Sequence, residues 1–197
     1  MKKLILFAAI LFASVSLVSA EGTGTTPGTV KEGNVNLTLN LHPFQSISIG
    51  GTHDGGTGGT GSTASHVVLN YVTAEDYKNG VSTTMNDHIS VVAAGQYAVY
   101  AEAKEVNFRG QTVEVGTSTI KLTAEQGTTQ GSTATTSADV PLSQTAAKLI
   151  SSTTGTGTGN TFNVKYTGAG DNAYVDKLVD NGLTSYETTV TYTIAVN

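Results

Sequence analysis

The sequence predicts an all-β protein, an antiparallel β-sandwich of Ig-like or Greek-key type with long Gly/Thr-rich loops. Only 13% of the residues are charged, against ~25% in typical globular domains. The 197 residues include 33 threonines and 23 glycines, a composition that favours strands and turns over helices. After residue 20, apolar and polar residues alternate over short segments that end at turn residues, whereas helical periodicity is missing from the sequence.

The first twenty residues predict a secretory signal peptide. A basic start at Lys2 and Lys3 precedes an apolar run over residues 4–18, and Val18-Ser19-Ala20 supplies the small residues of a cleavage site. Because this run is shorter than the ~20 residues that span a bilayer, we expect cleavage and no transmembrane span in the mature chain. The protein would then be exported through the inner membrane to the periplasm, the cell surface or the medium. Loss of the two lysines changes the formal charge from -5 to -7.

The mature chain is predicted to consist of a flexible Gly/Thr-rich lead, residues 21–33, and one β-sandwich domain, residues 34–197. The clearest strand pattern covers residues 34–49, where Val35, Leu37, Leu39 and Leu41 alternate with polar residues. Further strands are predicted at 66–72, 89–91, 97–103, 118–125, 162–166 and 186–196. One helical turn is expected near 73–80, and polar loops are expected at 50–65, 127–138 and 151–160.

The strand phase predicts which side chains fill the space between the sheets, since alternate residues of a strand share a face. The predicted core residues are Leu37, Leu39, Val99, Leu122, Val164, Val190 and Ile194.

Composition excludes several classes of function. The absence of cysteine excludes disulfides, zinc–thiolate sites and cysteine nucleophiles. An acidic chain lacks the cations that neutralise phosphates, so nucleic acid is not an expected partner. No Gly-rich segment precedes a helix pattern or carries Gly-Lys-Ser/Thr, so no nucleotide is expected. Without a G-x-S-x-G motif, the sequence predicts no enzyme and no cofactor; a secreted hydrolase is the third alternative.

Histidines and aspartates offer two weak candidates for metal sites. His42, His53, His66 and His88 contain no H-x-x-x-H pair, and we interpret them as exposed loop residues. Asp171, Asp176 and Asp180, with Asn172, offer oxygen ligands for Ca²⁺. Their spacing fits neither an EF-hand nor a Gly/Asp nonapeptide, so solvated surface residues are the preferred interpretation and calcium binding stays open.

Two segments resemble the WxL domain of bacterial cell-surface proteins. Its internal Gly-Trp-x-Leu motif corresponds here to Gly95-Gln96-Tyr97-Ala98-Val99. Its C-terminal Tyr-x-x-x-Leu-Thr-Trp-x-Leu motif corresponds to Tyr186-Glu187-Thr188-Thr189-Val190-Thr191-Tyr192-Thr193-Ile194. Tyr97 and Tyr192 thus replace the two tryptophans. The resemblance implies a secreted β-sandwich held non-covalently at the cell surface by binding peptidoglycan. Tyr97, Tyr186 and Tyr192 would then be surface-binding residues, and the other interpretation is that they are ordinary core aromatics.

A looser resemblance links the chain to fimbrial subunits, which assemble by donating an extended strand to a neighbour. The candidate donated strand carries Val35, Leu37, Leu39 and Leu41 in alternation. The sequence therefore predicts a non-enzymatic surface or envelope module, structural or binding, whose partner is a cell-envelope polymer such as peptidoglycan or another surface glycan. The alternative is a self-assembling pilus or fibre subunit whose partners are other copies of itself.

Overall fold

A computed structural model describes residues 38–39, 44–54, 66–179 and 183–196. The chain divides into two compact units, Met1–Asn40 and Leu41–Asn197. In the first unit only Thr38 and Leu39 are described, and both are exposed and outside any strand.

In the described part of the second unit, the regular secondary structure consists mainly of strands. Their bounds are β1 Gln45–Ile49, β2 Thr52–Asp54, β3 Ser82–Ala93, β4 Tyr97–Ala103, β5 Ile120–Gln130, β6 Thr135–Thr136, β7 Val140–Pro141, β8 Ala147–Ser152, β9 Asn160–Gly168 and β10 Val190–Val196. One short helix, α1, covers Ala74–Asn79, and single 3-10 turns cover Thr117–Thr119 and Val175–Lys177. Within the described ranges, no helix has the length and apolar character needed to cross a membrane.

The strands form two antiparallel sheets, which confirms the predicted all-β sandwich class. One sheet has the order β1-β3-β9-β5-β7, with β2 also paired to β3, and the other has the order β10-β4-β8-β6. β1 and β10 are therefore edge strands of different sheets. Every strand pair is antiparallel.

The core lies between the two sheets and follows the predicted strand phase in most places. Val99, Leu122 and Val164 are fully buried, as predicted. Val190 and Ile194 are half-buried and pack against the same cluster. The same cluster also contains the large buried side chains of Met85, Ile89, Val91, Tyr97, Leu149, Ile150 and Phe162.

The prediction of a strand over residues 34–49 is confirmed for Gln45–Ile49 and wrong at Leu39. Leu39 was expected in the core, but its side chain is 78% exposed and belongs to no strand. Among the described residues, the first strand is β1, which begins at Gln45 and pairs with β3. A period-2 pattern is buried only where a partner strand and a facing sheet receive it. Leu37 lies outside the described residues.

Two further boundaries differ from the prediction. Residues 66–72 form no strand beyond one bridge at His66; instead Val67 and Leu69 pack on the core from an irregular segment. Residues 127–130, expected to be loop, continue β5. Gly127 has room only for hydrogen, because a Cβ there would meet Asp87 and the backbone of Thr161. The polar composition of 127–130 thus reflects a bulged strand next to Asp87.

A β-bulge in β3 decides which side chains face the core. The pairing of β3 with β9 shifts between Met85 and Ile89, and Asp87 adopts a left-handed backbone conformation with φ 50°. β3 advances four residues from Met85 to Ile89 while β9 advances two from Val164 to Phe162. The irregularity therefore places two extra residues in β3, and His88 and Ile89 are both buried although they are consecutive.

Candidate functional site

A cleft of about 850 Å³ is lined by residues from both sheets. The six-stranded sheet contributes His88 from β3 and Tyr166 from β9, and the four-stranded sheet contributes Tyr192 from β10. Residues 66–72 and 183–189 also line the cleft. Its volume lies within the ~300–1,000 Å³ usual for ligand sites.

Tyrosine dominates the lining of this cleft. The chain has eight tyrosines, and six of them line the cleft: Tyr71, Tyr77, Tyr166, Tyr174, Tyr186 and Tyr192. A tyrosine ring offers an apolar face and a polar hydroxyl, which suits ligands that expose both kinds of surface. We call this feature the tyrosine cleft.

Three of these rings form a cluster at one part of the tyrosine cleft. The Tyr71 ring meets the edge of Tyr174 with centroids 5.0 Å apart, and its centroid lies 5.3 Å from that of Tyr77. The Tyr71 hydroxyl donates a hydrogen bond of 2.7 Å to the carbonyl oxygen of Ala169. Burial and the neighbouring Tyr174 raise the pKa of Tyr71 well above its usual value. Gly168 is required next to this hydroxyl, because a Cβ there would collide with it.

The local sequence explains why Tyr77 and Tyr174 meet Tyr71. Tyr77 lies on α1, which begins with a capping box: the Thr73 hydroxyl accepts from the Asp76 amide, and the Asp76 carboxylate accepts from the Thr73 amide. The amide of Asn172 donates to the Tyr77 carbonyl oxygen at 2.8 Å. Asn172 has φ 60°, a conformation that Asn tolerates better than most residues, and this turn carries Tyr174 towards the cluster.

A hydrogen-bonded chain joins the two sheets at another part of the tyrosine cleft. His88 Nδ1 lies 2.9 Å from the Gly50 carbonyl oxygen, and His88 Nε2 lies 2.9 Å from the Tyr166 hydroxyl. The Tyr166 and Tyr192 hydroxyl oxygens are 2.6 Å apart. Burial lowers the pKa of His88 and raises the pKa of Tyr166 to about 12. All three side chains are therefore uncharged at neutral pH.

The three tyrosines singled out in the sequence occupy two different environments. Tyr97 is fully buried in the core, where its hydroxyl accepts from Asn160 Nδ2 at 3.0 Å. Tyr192 and Tyr186 line the tyrosine cleft. The Tyr186 hydroxyl donates to the Lys177 carbonyl oxygen at 2.6 Å, which ties residues 183–189 to the 3-10 turn Val175–Lys177.

The candidate donated strand is described at one position only. Leu39 is exposed and outside any strand, whereas Val35, Leu37 and Leu41 lie outside the described residues.

The metal candidates are not brought together by the described structure. Asp171 and Asp176 are both exposed, and the Asp176 carboxylate pairs with Lys177 at 3.4 Å; Asp180 lies outside the described residues. Across the described ranges, no group of three His, Asp or Glu side chains is arranged to hold an ion.

One histidine prediction was wrong. His66 is exposed, as expected of a loop residue, but His88 is only 2% exposed and bonds at both ring nitrogens. Its burial follows from the bulge at Asp87. His42 lies outside the described residues.

Sequence reasoning also missed Tyr71, Tyr77, Tyr166 and Tyr174 as cleft residues. For Tyr166 a signal existed, because it shares the inward phase of Phe162 and Val164 on β9. For Tyr77 and Tyr174 no sequence signal exists, since their meeting depends on tertiary contacts between α1 and a distant turn.

No protein-family model matches this chain, and no curated protein matches it.

Proposed function

We propose that the protein is an exported, non-enzymatic β-sandwich module of the cell envelope that binds a surface glycan, such as peptidoglycan, in the tyrosine cleft. The observation that carries the proposal is the collection of six tyrosines around one cleft of about 850 Å³. The apolar C–H faces of a sugar ring pack on aromatic rings, while its hydroxyl groups need polar partners at the same site. Tyrosine supplies both.

The ionisable groups of the lining support a binding role. Among the described lining residues, the ionisable groups besides tyrosine are His66, His88, Arg109, Lys177 and Glu187. Glycoside hydrolysis usually needs a pair of carboxylates, and Glu187 is the only carboxylate in that set. Retention of a glycan is therefore favoured over its cleavage.

Cosedimentation with purified peptidoglycan sacculi tests this function. Wild-type protein should sediment with the sacculi, and the double variant Tyr77→Ala/Tyr174→Ala should lose at least tenfold in apparent affinity. Tyr100→Ala is the matched control, because Tyr100 is a half-buried tyrosine of β4 outside the cleft. Equal retention of all three proteins, or no retention of the wild type, would contradict the proposal.

A polymerising fibre subunit is the second candidate, and the free edge of β10 favours it. Within the described residues, β10 pairs with β4 alone. Its sequence, VTYTIAV, contains no charge, proline or glycine, the residues that usually protect an edge from pairing. An extended segment from a neighbouring copy would add there as a fifth strand. Light scattering coupled to size-exclusion chromatography over a wide concentration range should detect such polymers.

A further inference from the structure

The hydrogen-bonded chain His88–Tyr166–Tyr192 has a direction that the surrounding groups determine. The Gly50 carbonyl oxygen can only accept a hydrogen bond, so His88 Nδ1, at 2.9 Å, carries a proton. Burial lowers the pKa of His88, which keeps the imidazole neutral and limits it to that single proton. His88 Nε2 is therefore an acceptor.

The two tyrosines continue the same direction. The Tyr166 hydroxyl lies 2.9 Å from the unprotonated Nε2 of His88 and donates its proton to it. Having used its only proton, the Tyr166 oxygen accepts from the Tyr192 hydroxyl, 2.6 Å away. Each hydroxyl thus donates towards His88, and the direction runs from β10 through β9 to β3.

The end of the chain lies at the tyrosine cleft. Tyr192 is half-buried and lines the cleft, and in the described part of the chain its hydroxyl has Tyr166 as its hydrogen-bond partner. Its proton is directed inward, so the oxygen has lone pairs left and no proton to offer. A ligand group that meets this oxygen has to be a donor.

We propose that His88 and Tyr166 are specificity-determining residues that orient the Tyr192 hydroxyl as a pure acceptor, so that the cleft selects a glycan presenting a hydroxyl or amide N–H and rejects one presenting a carboxylate at that position. This inference rests on the proposed function, because it assumes that the tyrosine cleft binds a glycan. It goes further by naming the ligand class, a neutral polymer of amino sugars or hydroxylated sugars, and the atom that selects it.

The first experiment determines the donor-to-acceptor direction of the hydrogen bonds between His88, Tyr166 and Tyr192, and it needs no ligand. Long-range ¹H–¹⁵N correlation spectra of the ¹⁵N-labelled protein at pH 7 distinguish the two tautomers of His88. The inference requires the proton on Nδ1. A proton on Nε2 would reverse every donor in the chain and would overturn it.

The second experiment measures selectivity with two defined probes, a hexamer of N-acetylglucosamine and an oligogalacturonate of similar length. Wild-type protein should bind the neutral hexamer in preference to the acidic oligomer. Tyr192→Phe removes the acceptor and should weaken hexamer binding roughly 3- to 10-fold, the value of one neutral hydrogen bond. Tyr166→Phe removes the oxygen that accepts the Tyr192 proton, so the Tyr192 hydroxyl can donate to a ligand. This variant should therefore show a smaller preference for the neutral hexamer over the acidic oligomer. Tyr100→Phe is the control, and thermal melts check that each variant is folded.

The outcomes separate this inference from the function on which it rests. If Tyr77→Ala/Tyr174→Ala loses hexamer binding while Tyr192→Phe and Tyr166→Phe keep wild-type affinity and preference, the inference fails and the proposed function stands. If wild-type protein binds neither probe nor sacculi, both are overturned.

Discussion

Asp87 and His88 are neighbours in β3 whose side chains serve opposite faces of the six-stranded sheet. The Asp87 carboxylate accepts from the Thr161 hydroxyl at 2.6 Å and from the amide and hydroxyl of Thr128, both at 2.8 Å. These bonds, with that of Thr161 the largest contribution, lower the pKa of Asp87. The other face receives His88. The network around one carboxylate therefore maintains the bulge that delivers His88 to the tyrosine cleft.

Replacement of Asp87 tests this role. Asp87→Ala should reduce the free energy of unfolding by about 1–3 kcal/mol, because it leaves three donors without their acceptor. Asp171→Ala is a matched control: Asp171 also has a positive φ, 53°, but makes no side-chain hydrogen bond within the described residues. Urea denaturation measures both. Equal losses would show that backbone conformation alone, and not the carboxylate network, stabilises the bulge.

His88 should make stability depend on pH. Because burial lowers its pKa below the usual 6.5, the unfolded chain takes up a proton near pH 6.5 while the folded chain does not. The free energy of unfolding should therefore fall as the pH drops from about 7 to 5. His88→Asn should flatten this dependence, whereas His66→Asn, at an exposed position, should keep it. Denaturant titrations at several pH values measure the free energy of unfolding of both variants. If it depends on pH equally in His88→Asn and His66→Asn, His88 is not the source of the pH dependence.

At the scale of elements, strand prediction succeeded where a strand is covered on one face and paired on both edges. β4 coincides with the predicted 97–103, because Tyr97, Val99 and Ala101 alternate and lie between β10 and β8. It failed at 66–72 and at Leu39, where the alternating residues do not form a strand. Pairing partners are a tertiary property, so periodicity alone does not reveal them.

The candidate site was less predictable than the fold for a related reason. A motif resemblance points to Tyr186 and Tyr192, but the cleft also needs a bulge that buries His88 next to Ile89 and a turn that carries Tyr174 to Tyr71. Both depend on left-handed residues, Asp87 and Asn172. Such single-residue irregularities leave no periodic trace in the sequence.

The different burial of Leu122 on β5 and of Leu39 in the N-terminal segment can be tested by replacing each with alanine. Leu122→Ala on β5 should cost about 2–5 kcal/mol, since Leu122 is fully buried. Leu39→Ala should change the free energy of unfolding by less than about 0.5 kcal/mol, because the side chain is exposed. Denaturant midpoints give both values. A large decrease in the free energy of unfolding of Leu39→Ala would show that the Leu39 side chain is packed and not exposed.

For the whole molecule, the proposed export raises the question of what stabilises the sandwich. The chain contains no cysteine, so its stability depends on the core between the sheets and on strand pairing rather than on disulfides. A mature chain with a formal charge of -7 would bind a neutral glycan in preference to an acidic polymer, which its field repels at low salt.

Export is tested by sequencing the N-terminus of the protein from its native host. The basic start, the apolar run and Val18-Ser19-Ala20 predict that the mature protein begins at Glu21. A protein recovered from the cytoplasm with Met1 or Lys2 at its N-terminus would contradict export and the proposed location.

Mapping of NMR chemical shifts tests whether the tyrosine cleft is the binding site. ¹⁵N-labelled protein is titrated with soluble peptidoglycan fragments, and the backbone amides that shift are assigned. If the cleft binds the glycan, saturable shifts should be concentrated at residues 66–77, 166–178 and 184–192, and they should be lost in Tyr77→Ala/Tyr174→Ala. Shifts confined to the outer edge of β10 or to the face of β4 that carries Tyr100, with the cleft unaffected, would contradict binding in the cleft.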